Sequence, residues 1–200
     1  MKRFGILFLA TLSILGSAQS CLAAETFILN HDHTTIGFNV SYLLVSRVRG
    51  QFDDFKGSFI IDHEHPENNR ADIIIKTASV DTGLDWRDEE IRGPNLFNAD
   101  HYPIMVFHSD IIEVKPDNTG HIKGDLTLLG ITKPVTLALI KGVKEDSFKV
   151  TGQIKRSDFG MGTFFKPIGN VVTLLICYNM ADCGGNDEGD YERKKTRYNQ

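Results

Sequence analysis

The sequence predicts an all-β protein, an antiparallel meander of eight or nine strands with one short helical insertion, on three observations. Apolar and polar residues alternate at period two along most of the chain, the mark of a half-buried strand. Clusters such as His65-Pro66-Glu67-Asn68-Asn69, Pro116-Asp117-Asn118-Thr119-Gly120 and Gly130-Ile131-Thr132-Lys133-Pro134 separate the runs, and these are turn-formers. Only residues 85–102 break the alternation. Links this short join antiparallel neighbours, because parallel strands need crossovers of a dozen or more residues. Sandwich and barrel share the same periodicity, and a barrel is favoured because it removes the exposed edges of so long a sheet.

Residues 1–24 have Lys2 and Arg3, an apolar run over 4–15, and small residues at Ala23 and Ala24. That is the layout of a secretory signal peptide, with cleavage after Ala23 or Ala24. The run is shorter than the roughly 20 residues that cross a bilayer, so no transmembrane segment is expected in the mature chain. Cys21 follows Ala18-Gln19-Ser20, a poor match to a lipobox. The expected location is the periplasm, ahead of full secretion. Without Lys2 and Arg3 the mature chain is more acidic than the whole, whose formal charge is −4, and nucleic acid, which wants a basic patch, is not an expected partner.

The domain then runs over 25–180, one core's worth of chain. Its first strand is read over 35–42, with Ile36, Phe38, Val40 and Tyr42 on one face. Further strands follow over 55–62, 71–79, 104–114, 121–129, 135–141, 148–155 and 171–180. Between the third and fourth, Trp86 to Arg92 carries helix formers; Gly93-Pro94 stops the helix, and 95–100 is read as a second helical turn. Residues 181–200 mix acids, glycines and Arg193-Lys194-Lys195, the composition of a solvated, disordered tail. Cys177 and Cys183 are either a disulfide suited to an oxidising compartment or two free thiols, a choice that geometry decides.

His31 with His33, and His63 with His65, each place two imidazoles two residues apart, which on a strand shares a face. A metal site needs three or four convergent ligands, and no metal is expected. No Gly-x-Ser-x-Gly elbow, phosphate loop or dinucleotide fingerprint is present; no catalytic residue or cofactor is proposed and the protein is read as a non-enzyme. Arg87, Asp88, Glu89, Glu90 and Arg92 crowd the insertion. Either a guanidinium there faces an anionic head group, or the charges pair with one another, as Asp88 and Arg92 could at i and i+4. The 13 phenylalanines suit a barrel of about eight strands, whose interior is packed or holds one small ligand.

Several motifs in order then resemble the YceI-like, polyisoprenoid-binding family. They are His33-Thr34-Thr35-Ile36-Gly37-Phe38, Val48-Arg49-Gly50-Gln51-Phe52, Ala78-Ser79-Val80-Asp81-Thr82-Gly83, Arg87-Asp88 with Ile91-Arg92, Phe107-His108-Ser109, Gly124-Asp125-Leu126-Thr127-Leu128, and Arg156-Ser157-Asp158-Phe159-Gly160. The resemblance implies a lipocalin-like, extended eight-stranded antiparallel β-barrel whose pore holds an isoprenoid lipid or other long-chain amphiphile. Where the family usually has His after Arg-Asp-x this chain has Glu90, and an acid facing the ligand head disfavours a pyrophosphate and suits a neutral head such as a quinone. Phe38, Val40, Phe59, Ile61, Phe107, Leu126, Leu128, Phe159 and Phe164 are the candidate pore residues, and Arg87 and Arg92, with Asp88 and Arg156, the candidate head-group residues. The expected role is binding, sequestration or transport of a polyprenyl compound or isoprenoid quinone in the periplasm, with transient membrane contact and a homodimer both compatible. The competing readings are an enzyme or electron-transfer partner acting on a quinone-like lipid, and a ligand-free packed barrel serving as a stress or interaction module.

Overall fold

A computed structural model describes residues 24–43, 46–142, 144, 146–162, 167–180 and 183. Most of the expected signal peptide, most of the expected tail, and Phe164 lie outside the described residues. Among the described residues eleven strands form one antiparallel sheet, and its curl makes the barrel-like body. In chain order they are β1 (Glu25–Leu29), β2 (Thr34–Tyr42), β3 (Ser46–Phe52), β4 (Phe55–Ile61), β5 (Arg70–Lys76), β6 (Val80–Asp81), β7 (Ile104–Val114), β8 (Thr119–Leu128), β9 (Ile131–Lys141), β10 (Phe148–Lys155) and β11 (Ile168–Tyr178). Across the sheet the order is β1-β4-β5-β7-β8-β9-β10-β11-β2-β3-β6.

All eight expected strands are present, and the count of eight is corrected to eleven by three short additions. β1 has five residues and pairs with β4 from Glu25↔Ile61 to Leu29↔Gly57. β3 reads as polar because its outward face is Arg47, Arg49 and Gln51, and it is held by its ladder to β2. β6, two residues long, extends the sheet beyond β3. The turn before β9 is also tighter than expected. Leu129 and Gly130 alone link β8 to β9, both at positive φ, 53° and 72°, the backbone that a two-residue hairpin requires.

The helix α1 spans Asp85–Arg92. Asp85 and Asp88 in its first turn and Arg92 in its last match the helix dipole, and the Gly93 N–H closes it onto the Glu89 and Glu90 carbonyls. The second helical turn expected over 95–100 is instead a series of turns, tied by Leu96 N–H and Asn98 N–H to the Gly93 carbonyl and by Ala99 N–H to that of Arg92.

The inward side chains divide by height. At the end where β10 starts and β11 finishes, four rings fill the interior: Phe59 stacks on Phe148 at 4.8 Å, Phe148 on Tyr178 at 5.2 Å, and Phe27 meets Phe148 edge-on at 5.4 Å. Leu29, Ile61, Ile112, Ile122 and Leu139 are buried as well. Cys177 is buried beside this plug and is disulfide-bonded to Cys183, with Cα atoms 5.6 Å apart.

Gly124 sits where β7 and β8 shift register between Ser109 and Ile111, and a Cβ there would collide with the His108 carbonyl oxygen and Ser109 Cα. Gly124→Ala is expected to lower stability by about 1 to 3 kcal/mol, read from urea unfolding. On the outer face of β7, His108 Nδ1 bonds Asp72 Oδ1 at 2.5 Å, directly across the ladder to β5. That hydrogen bond and the charge of Asp72 raise the imidazole pKa. Its contribution is therefore fully present below the ordinary histidine value and is lost as pH rises through the raised one. NMR titration of His108 should give a midpoint above the ordinary value, and Asp72→Asn should bring it back down.

Candidate functional site

At the other end the sheet is hollow. A cavity of ≈ 340 Å³ lies between β2, β3, β5, β7, β8, β9, β10 and β11, under α1. Its wall takes Phe38 and Val40 from β2, Ile73 and Ile75 from β5, Met105 and Phe107 from β7, Leu126 and Leu128 from β8, Leu137 from β9, Val150 and Ile154 from β10, and Val172 and Leu174 from β11. β10 and β11 thus each give a ring to the plug, Phe148 and Tyr178, and further inward residues to the cavity. The volume lies at the small end of the range for ligand pockets, and the mainly apolar lining suits one.

Of the expected pore residues, Phe38, Val40, Phe107, Leu126 and Leu128 line this cavity, and Phe59, Ile61 and Phe159 do not. Phe59 belongs to the aromatic plug, Ile61 is buried at the last position of β4, and Phe159 is buried in the turn that follows β10. Their alternation marks an inward face without giving height along the barrel. Ile73, Ile75, Met105, Leu137, Val150, Ile154 and Val172 escaped sequence reasoning. The same inward parity on the neighbouring strands was the signal for them.

The polar residues at the mouth separate in the same way. Trp86, Arg87 and Glu90 of α1 line the opening, Trp86 with 63% of its surface exposed. Arg87 also donates Nε to Thr82 Oγ1 and Nη2 to the Thr82 carbonyl, both at 2.7 Å. Asp88 and Arg92 do not reach the cavity. Asp88, 4% exposed, accepts from Thr82 N–H at 2.9 Å and from the Thr82 hydroxyl at 2.5 Å. Arg92 donates Nε to the Ala78 carbonyl and Nη2 to the Val80 carbonyl, both at 2.7 Å. Neither pairs with the other, so the i and i+4 pairing, one of the two readings of these charges, gives way to a clamp of α1 onto β6 and the segments on either side of it. Arg156, fourth of the head-group candidates, is buried and lines the cavity.

The histidine pairs stay apart from the cavity. His31 lies against Phe55 and His33 near Tyr178, while His63 faces Glu25 at 3.7 Å and His65 faces Glu67 at 3.3 Å. Among the described residues no three histidine, cysteine or carboxylate side chains converge where a metal ion would sit. Among them, too, no helix is long and apolar enough to cross a membrane.

Comparison with known proteins follows the same geometry. Residues 27–179 match the family model described as the YceI-like domain. A UPF0312 protein of Photorhabdus laumondii is 37% identical over 186 residues, covering 88% of this chain and 96% of the relative. BcnA of Burkholderia cenocepacia superposes with a TM-score of 0.66 at 23% identity, covering 72% of this chain and 94% of that one. A polyisoprenoid binding domain from Saccharophagus degradans shares the fold with a TM-score of 0.53 at 18% identity, covering 72% and 93%.

Asp88→Ala removes the acceptor for both donors of Thr82 and leaves the Thr82 N–H without its partner. A loss of about 1 to 3 kcal/mol is expected. It should be visible in chemical denaturation, with faster amide exchange confined to α1 and the 82–84 loop.

Proposed function

The chain belongs to the YceI-like family, and from that premise we propose that it binds the apolar tail of a long-chain isoprenoid lipid in its cavity, holding or carrying it unreacted in the periplasm. The observation that carries this reading is the wall itself. Above the aromatic plug, eight strands turn mainly apolar side chains toward a hollow that their own rings leave unfilled. A packed interaction module has no use for such a space, and a void lined by apolar groups forfeits contacts until something apolar fills it. The Saccharophagus domain of the same fold is described as polyisoprenoid binding, which supports the ligand class.

Energetics agree. Burying about 10 to 15 carbons gains roughly 8 to 12 kcal/mol at about 0.8 per methylene, from which the cost of immobilising chain and protein is subtracted. The polar groups on the wall are Tyr42, Arg87, Glu90, Thr151 and Arg156. None of them is hydrogen-bonded to another as a nucleophile to its base, so carriage is favoured over turnover. Export is supported by the layout of residues 1–24, and the Cys177–Cys183 disulfide suits an oxidising compartment.

Native mass spectrometry of protein purified from a bacterial periplasm should show one lipid per chain, and organic extraction should return it chemically unchanged. Ligand-free protein that also ignores added polyprenyl lipids overturns the reading. Trp86 is the single tryptophan and stands at the mouth, so its emission should shift on titration with a polyprenol. Phe107→Asp places a charge in the middle of the wall and is expected to abolish that shift. Circular dichroism must show the variant folded, and a folded variant that binds normally refutes the assignment of the wall.

A further inference from the structure

Arg156 is the unusual member of the cavity wall. It begins the turn after β10, and only 6% of its surface is exposed. Two of its three guanidinium nitrogens are committed to the backbone where β11 begins: Nε donates to the Gly169 carbonyl at 2.9 Å and Nη2 to the Ile168 carbonyl at 3.0 Å. The third, Nη1, is buried with no hydrogen-bond partner among the described residues. No ion pair among the described residues involves Arg156, and burial alone pushes its pKa down, with no carboxylate to offset it.

A buried guanidinium with an unpaired N–H is costly to leave unsatisfied, and a buried cation without a counter-charge more so. The turn that holds it borders the same opening as α1: Met161 and Phe97 line the cavity with it, and the Gly162 N–H bonds the Asn95 carbonyl. The polar end of the hollow is thus the α1 end, and the aromatic plug lies beyond its apolar floor of Ile36, Leu137 and Val150.

Resting on the reading above, we infer that the cavity selects amphiphiles whose head carries a hydrogen-bond-accepting oxygen, and seats that oxygen on Nη1 of Arg156 with the tail pointing toward the plug. A hydrocarbon of the same length fills the hollow but leaves Nη1 unpaired. A ketone or quinone carbonyl supplies the missing acceptor, and a carboxylate supplies a counter-charge as well.

The test compares three isoprenoids on the wild-type protein, by Trp86 fluorescence and calorimetry: geranylgeranylacetone, geranylgeranoic acid and the matched hydrocarbon. The oxygenated ligands should bind about tenfold or more tightly than the hydrocarbon, the ratio expected for one added hydrogen bond to a charged donor. Preference for the acid alone assigns the contact to charge pairing, and preference for both to hydrogen bonding. Infrared spectra should show the bound ketone's carbonyl stretch at lower frequency than in an apolar solvent. Arg156→Met should remove both the affinity gap and the frequency shift. Because that change also frees the Gly169 and Ile168 carbonyls, the wild-type comparison stands independently of it. Equal binding of all three, or a gap that survives in folded Arg156→Met, overturns the inference and leaves lipid binding intact. Failure of all three to bind overturns lipid binding itself.

Discussion

A β-strand sends successive side chains to opposite faces, so a long curled sheet collects a column of apolar side chains on its concave side, and that column must be either packed or hollow. In this chain both outcomes occur on the same strands. Where β1 pairs along β4, Phe27 joins Phe59, Phe148 and Tyr178, and the four rings pack against one another. Nearer α1 the inward residues are mostly Ile, Val, Leu and Met, shorter side chains that line the space without meeting across it. The position of the cavity follows from which strand positions carry rings.

Much of this was legible in the sequence. Period-two alternation located eight strands and placed Phe38, Val40, Phe107, Leu126 and Leu128 on the inward face. Alternation reports a face and is silent about height, which is why Phe59, equally inward, packs in the plug. β3 was invisible because its two arginines and a glutamine outnumber Val48 and Phe52, and its place depends on the ladder to β2. The register shift in β7 is likewise a property of the pair β7 and β8, since it makes Ser109 and Ile112 both buried although they are three apart.

The helix illustrates the opposite limit. Its charged composition reads as a solvated surface segment or a head-group site, and the structure uses the charges to fasten it. Asp88 and Arg87 grip both polar groups and the carbonyl of Thr82, and Arg92 grips the backbone of residues 78 and 80. With little apolar surface of its own to bury, α1 is attached mainly by side-chain to backbone bonds. Such contacts depend on where a distant loop passes, and no local pattern encodes them. The unpaired nitrogen of Arg156 is legible only in three dimensions for the same reason: it is defined by partners it lacks.

The wall of rings also bears on traffic. A sleeve open at both ends lets a chain be threaded from one side to the other, whereas one sealed at its floor makes loading and unloading use one door. On the proposed reading, a tail held in the hollow, with the plug beyond its floor, must come out the way it went in, head first, past Trp86. To pass cargo between two surfaces such a vessel has to tumble, presenting the same lip to giver and receiver in turn.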